Sequence, residues 1–517
     1  MKCYLFRSSG NMKNSTKSIY NIFFGILSQV ITIVVGIIFP RLILITFGSE
    51  TNGLTNSVNQ IFAYFALLEA GVGTTALQAL YGPVGRSDYK SINEILAATD
   101  RYYKRTGIIY FVSFIALSLI YPLLVDSELP KSVIFWVIIF TGFSGVISYF
   151  FQGKYNILLL AEGKNYINNN MSTIVYIITS VFKLLLLLGG FGIVAIQAMY
   201  CLFNLFKMIY IEWYIHKKYK WINLKVCPNI QAISQSNYVF VHQISSLIFN
   251  NTDTIVLTFI VGLKSVSVYS MYTLLFGMIG TAIGTITGGV QFILGQTFNN
   301  DRKRYLKLHS VYEIFSMVVC FSLYCVACIF ILPFMALYTS GIEDVAYIDS
   351  LLPYLFVAFY LLSNGRESSN ITIKFAGHFK QTISRTVIES IINLMVSIIC
   401  AWKFGIYGVL IGTIVALLYR ANDMIIYANR RILHRSPRKT YERWIRNVVI
   451  FIAITIIAKK VPMILDSYIQ IIEWATVVCV ITVLIFVMIN LLFEPDVRSV
   501  VKEEFIPKIK SACSRKR

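Results

Sequence analysis

Long apolar runs, each closed by a short charged or glycine-bearing break, follow one another along almost the whole chain. A helix crossing a hydrocarbon core of about 30 Å needs roughly 20 mostly apolar residues and satisfies its backbone groups internally. The pattern predicts fourteen such spans, at 20–47, 54–81, 106–125, 132–153, 169–189, 192–215, 238–261, 266–298, 311–338, 351–375, 383–402, 406–428, 447–465 and 473–493. Runs this long and unbroken exclude a transmembrane β-barrel, whose strands alternate apolar and polar positions.

The order of these runs is written twice. Residues 40–90 hold an apolar stretch ending at Gly48, a polar break, a long apolar run, and then Gly82, Asp88 and Lys90; the same order returns from Thr254 through Gly262 to Asp301, Lys303 and Arg304. Gly48 and Gly262 lie 214 positions apart, Asp88 and Asp301 213. Further on, Ala161-Glu-Gly163 is echoed by Phe375-Ala-Gly377, Phe191-Gly-Ile193 by Phe404-Gly-Ile406, and Lys207 by Arg420. The expected fold is therefore an all-α polytopic membrane protein: two six-helix bundles related by a pseudo-twofold axis along the membrane normal, plus two C-terminal helices. The corresponding segments are a cytosolic leader (1–18), a first bundle (19–215), a basic cytosolic linker (216–237), a second bundle (238–428), a second basic linker (429–446), two additional helices (447–493) and a charged cytosolic tail (494–517).

Composition agrees with this class, with 56% apolar and 14% charged residues. The net charge of +21 would suit nucleic acid, but its placement does not. Lys and Arg concentrate on the cytoplasmic side of membrane proteins. With the N-terminus inside, and the charges near span ends (Lys374, Arg385, Lys459 and Lys460) counted with the adjacent loops, 36 of the 46 fall in cytosolic segments, five in outer loops (Lys131, Lys264, Lys403, Lys459 and Lys460) and five within spans. Both termini are thus expected to be cytosolic, and the excess charge reads as a topology signal with some attraction to anionic lipid. The basic leader lacks an apolar core followed by a cleavage site, so no cleaved signal peptide is expected. Nine cysteines lying mostly in apolar runs do not form a disulfide or metal framework, and Cys325 and Cys328 sit mid-span without a His or acidic neighbour.

Charges inside spans are costly enough, at least about 2.5 kcal/mol on insertion scales, that they usually face a wet cavity or a partner. The five cations are Arg41, Lys183, Lys207, Arg366 and Arg420; the acids include Glu69, Asp253, Glu367, Glu389 and Asp423. Arg366 adjoins Glu367, and Arg420 precedes Asp423 by three residues, spacings that also suit internal ion pairs. Arg41, Lys183 and Lys207 have no acid within four residues, which suits an anionic ligand such as a pyrophosphate, and together with Arg366 and Arg420 they are the candidate substrate-binding cations of a cavity. Lys207 and Arg420 suit snorkelling to the inner surface equally well. Glu69, Asp253 and Glu367 are candidates for binding Na+ or a proton, or for pairing with a cation. Gly280, Gly284 and Gly288 recur every fourth residue, as helix packing or a bend would require.

The stretches P-R-L-I-L-I-T-F-G-S-E-T-N-G-L at 40–54, E-A-G-V-G-T-T-A at 69–76 and N-T-D-T-I-V-L at 251–257, together with the fourteen-span plan, resemble the Wzx-type polysaccharide flippases of the multidrug, oligosaccharidyl-lipid and polysaccharide exporter superfamily. The resemblance implies two bundles facing a central cavity that opens alternately to either side, with undecaprenyl-pyrophosphate-linked sugar units moved to the outer leaflet of the bacterial cytoplasmic membrane for O-antigen, capsule or related polymers. A non-enzymatic, monomeric transporter is expected, with membrane lipids around it and contact with polysaccharide assembly proteins, no cofactor, and Na+ or H+ as the candidate coupling ion. By resemblance to the lipid-linked peptidoglycan-precursor flippase, spans thirteen and fourteen would border a groove for the polyprenyl tail, or simply pack on the bundle.

Two other functions compete. A drug or cation exporter of the same superfamily shares the fold but has fewer spans and a more acidic cavity. A membrane polysaccharide polymerase would carry a large outer loop, whereas the longest outer loops here, around 339–350 and 466–473, are short. No phosphate-cradling G-x-x-x-x-G-K-S/T loop and no nucleophile elbow occurs.

Overall fold

The computed structural model describes residues 14–65, 72–233 and 237–500, in which every regular element is helical. The chain divides into two compact units at 247/248.

The first unit contains α1 (Asn14–Phe65), α2 (Val72–Arg86), α3 (Tyr89–Leu124), α4 (Lys131–Ile147), α5 (Gly153–Ala161), α6 (Asn165–Leu188) and α7 (Ile193–Lys218). α1 is two helices end to end, divided at Gly48, whose φ of 79° and ψ of 177° lie where only glycine is unstrained. α4 runs into α5 through a π-type stretch, Ser148–Gln152. The core is aromatic: Tyr110 stands 5.1 Å from Tyr149 and 5.3 Å from Phe65, ring to ring. Gly145 makes room for it, since a Cβ there would lie 2.1 Å from the Tyr110 hydroxyl.

The second unit takes up the chain within α8 (Asn237–Ile260) and continues through α9 (Leu263–Asn300), α10 (Arg302–Tyr338), α11 (Leu352–Gly365), α12 (Glu367–Phe375), α13 (Phe379–Phe404), α14 (Ile406–Tyr427), α15 (Arg438–Ala458), α16 (Tyr468–Phe493) and the short α17 (Pro495–Val500). Gly262, between α8 and α9, repeats the Gly48 conformation at φ 107° and ψ 167°. The echo extends to the caps: Asp88 accepts from the Ser91 amide at the start of α3 (3.2 Å), and Asp301 from the Arg304 amide at the start of α10 (3.0 Å). Gly163 and Gly377 share left-handed φ values of 69° and 67°. The Phe-Gly-Ile echo is looser, because the left-handed residue is Gly190 in the first copy and Gly405 in the second.

Among the described residues ten helices are long and apolar enough to cross a membrane, and the chain is a multi-pass membrane protein. Four expected spans are not among the ten. The described parts of the second lie in α1 and α2, and 66–71 between them are outside the described residues. The seventh is α8, whose described apolar stretch is Leu247–Ile260. The tenth breaks at Arg366, and the thirteenth, α15, opens on the charged run Arg438-Lys-Thr-Tyr-Glu-Arg443.

α15 and α16 both pack on α10 rather than mainly on each other. Phe321 of α10 meets Trp444 at 5.5 Å and Phe486 at 6.0 Å. Trp444 lies so close to Gly365 that a Cβ there would approach its ring to 2.5 Å. Beneath these rings Arg443, 2% exposed, bonds Glu313 at 2.6 Å and grips Glu494 with two nitrogens at 3.0 and 2.8 Å; Arg435 adds a 3.1 Å contact to Glu313. A buried charge left without its partner would be strongly destabilising, and this network leaves none.

Candidate ligand sites in the two bundles

The second unit places an acidic residue among neutral donors. Asp253 of α8 is 3% exposed. Its carboxylate accepts from the Thr413 hydroxyl of α14 (2.7 Å), the Tyr269 hydroxyl of α9 (2.9 Å) and, more distantly, the Asn393 amide of α13 (3.4 Å). The same amide donates to Thr413 at 2.9 Å, leaving the Asn393 carbonyl oxygen buried without a hydrogen-bond partner. No lysine or arginine among the described residues pairs with Asp253. A buried carboxylate beside an orphaned carbonyl oxygen and a hydroxyl is a donor set for a small monovalent cation, or for a proton on the carboxylate. Local sequence spacing marked Asp253 and not its partners. Asn393 and Thr413 are polar positions in otherwise apolar runs, which is the signal that could have identified them.

Nearer the basic ends of α13 and α14, and at the α11–α12 break, charge is dense and mostly self-satisfied. Arg366, at the break between α11 and α12, donates to Glu389 of α13 at 2.5 Å, not to its neighbour Glu367. Arg420 of α14 lies 3.4 Å from the other Glu389 oxygen, donates to Asp423 at 2.6 Å and to Thr386 at 3.1 Å, and is 3% exposed. Arg385 completes the cluster on Asp423 at 2.6 Å. Three guanidinium groups thus share two carboxylates. Arg420 is internally paired, as its spacing to Asp423 allowed, and does not snorkel. Glu367 faces Lys374 (3.1 Å) and Asn370 (2.7 Å) on its own helix.

The first unit holds the other three cations of the expected spans. Lys183 of α6 lies over the rings of Tyr200 (5.1 Å) and Phe39 (5.9 Å), with no carboxylate partner among the described residues. Arg41 follows Phe39 by two residues on α1, the helix against which α6 packs, and is half-buried. Lys207 is half-buried on α7. Glu69 lies outside the described residues. A pair that spacing did not reveal is Asp100 with Lys154, both buried, which bond between α3 and α5 while Lys104 adds a second contact at 2.8 Å. Outside the spans, Asp349 is held below the usual carboxylate range: burial pushes it up, but the Tyr407 hydroxyl and the Leu351 and Leu352 amides that donate to it outweigh burial.

No protein-family model and no curated protein matches the chain. Solved structures do match in fold. A structure of the lipid II flippase MurJ in an inward closed conformation aligns with a TM-score of 0.71 at 15% identity, over 92% of this chain and 99% of its own. An inward-facing multidrug resistance MATE family transporter of the MOP superfamily aligns at 0.61 and 14%, over 83% of this chain and all of its own. A MATE structure in a bent conformation aligns at 0.51 and 14%, over 83% and 99%. The fold of the chain is the one these transporters share.

Proposed function

We propose that a chain with this fold is a flippase that moves undecaprenyl-pyrophosphate-linked oligosaccharide repeat units across the bacterial cytoplasmic membrane by alternating access, for cell-surface polysaccharide synthesis. The observation that carries this reading is the extent of the likeness. The lipid II flippase aligns over 92% of the chain and the MATE transporters over 83%, a difference of about two membrane helices. Two helices beyond a twelve-helix plan favour a lipid-linked cargo over a drug or cation exporter.

The cations support an anionic cargo. Lys183 and Lys207 have no carboxylate partner among the described residues, and the Arg366 cluster carries one more cation than acid. We assign Arg41, Lys183 and Lys207 to the pyrophosphate or acidic sugars, with the Arg366–Arg420 cluster as a secondary, partly neutralised contributor. Asp253, with Asn393 and Thr413, is the coupling site for Na+ or a proton, in preference to Glu367, whose carboxylate is engaged by Lys374. The termini are cytosolic, following the charge bias of the loops.

Reconstitution into liposomes with a labelled undecaprenyl-pyrophosphate oligosaccharide tests the proposal. Exposure of the label on the opposite face, and its loss in Arg41→Gln and Lys183→Gln, is expected. Full transport by both variants would remove the cation assignment. Transport of cationic dyes with no movement of the lipid-linked sugar would favour the exporter.

A further inference from the structure

A cavity of about 600 Å³ opens between α10, α11, α15 and the loop after α15, lined by Cys328, Pro333, Tyr354, Thr455, Lys459 and Met463 among others. Its volume falls within the range of about 300–1,000 Å³ typical of small-molecule sites. It lies at the end of α10 that carries few cations, the predicted outer side. Cys328 stands ten residues before the end of α10 at Tyr338, so the cavity reaches about 15 Å inward, half of a hydrocarbon core of about 30 Å. The depth is that of one leaflet.

Its mouth is charged. Of the five cations expected in outer loops, two adjacent ones, Lys459 and Lys460, are exposed here, and the Lys459 ammonium lies 5.2 Å from the centre of the Tyr354 ring that forms part of the wall. The acid beside the lining residue Ser350, Asp349, is turned to Tyr407 and to two backbone amides. Along α10 the wall is apolar through Ile329, Leu332 and Pro333, and Met463 of the loop after α15 adds to it. α16 does not line the cavity, so it is distinct from a groove between α15 and α16.

We propose that this cavity binds an anionic phospholipid of the outer leaflet, an acyl chain lying between α10, α11 and α15 and the headgroup phosphate lying on Lys459 and Lys460. Charge complementarity and one-leaflet depth select this occupant. Each lysine near a membrane surface contributes on the order of 1 kcal/mol toward an anionic headgroup. The lipid packs between α15 and α10 at the end of α15 opposite the Arg443 cluster, and the site is independent of what the protein transports.

Native mass spectrometry of delipidated, full-length protein with added phosphatidylglycerol or phosphatidylcholine tests this. Retention of phosphatidylglycerol over phosphatidylcholine is expected, falling about 30-fold in Lys459→Gln/Lys460→Gln and unchanged in Lys403→Gln, an exposed outer lysine elsewhere. Ala458→Trp, which narrows the cavity, removes retention of both lipids, while an unchanged melting temperature shows that the variants fold. Equal retention of the two lipids, or phosphatidylglycerol binding that survives both sets of changes, overturns the proposal. Displacement of bound phosphatidylglycerol by undecaprenyl phosphate at equal concentration also overturns it and assigns the cavity to a polyprenyl chain.

Discussion

The Thr413 hydroxyl donates a 2.7 Å hydrogen bond to the Asp253 carboxylate, joining α14 to α8 across 160 positions of sequence. Among the described residues the carboxylate bonds only neutral groups, and on the coupling assignment its charge is balanced by a bound cation or a proton. Asp253→Asn keeps the shape and most of the hydrogen bonds but removes the charge. Transport measured against Na+ at fixed pH, and against pH at fixed Na+, should lose its ion dependence in this variant, with activation weakened about 10- to 100-fold, the worth of one or two charge-assisted bonds. Thr413→Val should weaken it less. Ion dependence that persists in Asp253→Asn would remove the coupling role.

The Arg366–Glu389 pair makes a contrasting prediction. Glu389 is 4% exposed and serves two arginines, so Glu389→Gln leaves Arg366 and Arg420 under-compensated in a low-dielectric setting. It should destabilise the second unit by about 3 kcal/mol, seen as a lower melting temperature in detergent. Lys183→Gln removes a cation with no described carboxylate partner and should leave that temperature unchanged while reducing transport of the lipid-linked sugar. If the two variants lost stability alike, Lys183 would be a structural residue.

At the other end of α15, Arg443 and Glu494 make a pH-sensitive joint. Burial pushes the Glu494 carboxyl up, but the Arg443 guanidinium that bonds it outweighs burial and holds it below the usual carboxylate range near 4.3. Because the folded value lies below the unfolded one, the stabilisation is present above that range and is lost as pH falls through the lower folded value. Melting temperatures should therefore fall more steeply below about pH 4 in the native chain than in Glu494→Gln. Parallel curves would mean that the Arg443–Glu494 bond contributes little.

Much of this architecture was legible because membrane spans and chain breaks are written locally. Gly48 and Gly262 divided their helices where the spacing of the repeat placed them, and Asp88 and Asp301 capped the helices that follow. The Arg420–Asp423 pair was visible for the same reason, three residues being one helical turn. What stayed hidden depends on helices distant in sequence. Nothing near Arg366 announced Glu389, 23 positions on, and Asp253 gave no sign of Thr413. The span count was blurred where charge and apolar length conflict, as in α15, whose first turns carry the arginine that joins it to α10. Glu69 lies outside the described residues and stands where its sequence left it.

Gly262 offers a test of backbone strain free of crowding. Its φ of 107° and ψ of 167° suit glycine alone, yet nothing lies within 4 Å of where a Cβ would be. Replacement should cost about 1–3 kcal/mol through conformation only, so Gly262→Ala and Gly262→Ser should lower the melting temperature equally. Gly365 is the opposite case: its φ is not left-handed, but a Cβ would meet the Trp444 ring at 2.5 Å. There Gly365→Ala should be harmful, Gly365→Ser more so, and Trp444→Phe should recover part of the loss by withdrawing the ring. Thermal unfolding of the five variants separates the two mechanisms. A cost at Gly262 that grows with side-chain size, or one at Gly365 that Trp444→Phe does not relieve, would show that the break between α8 and α9 or the seat of α15 is held in some other way.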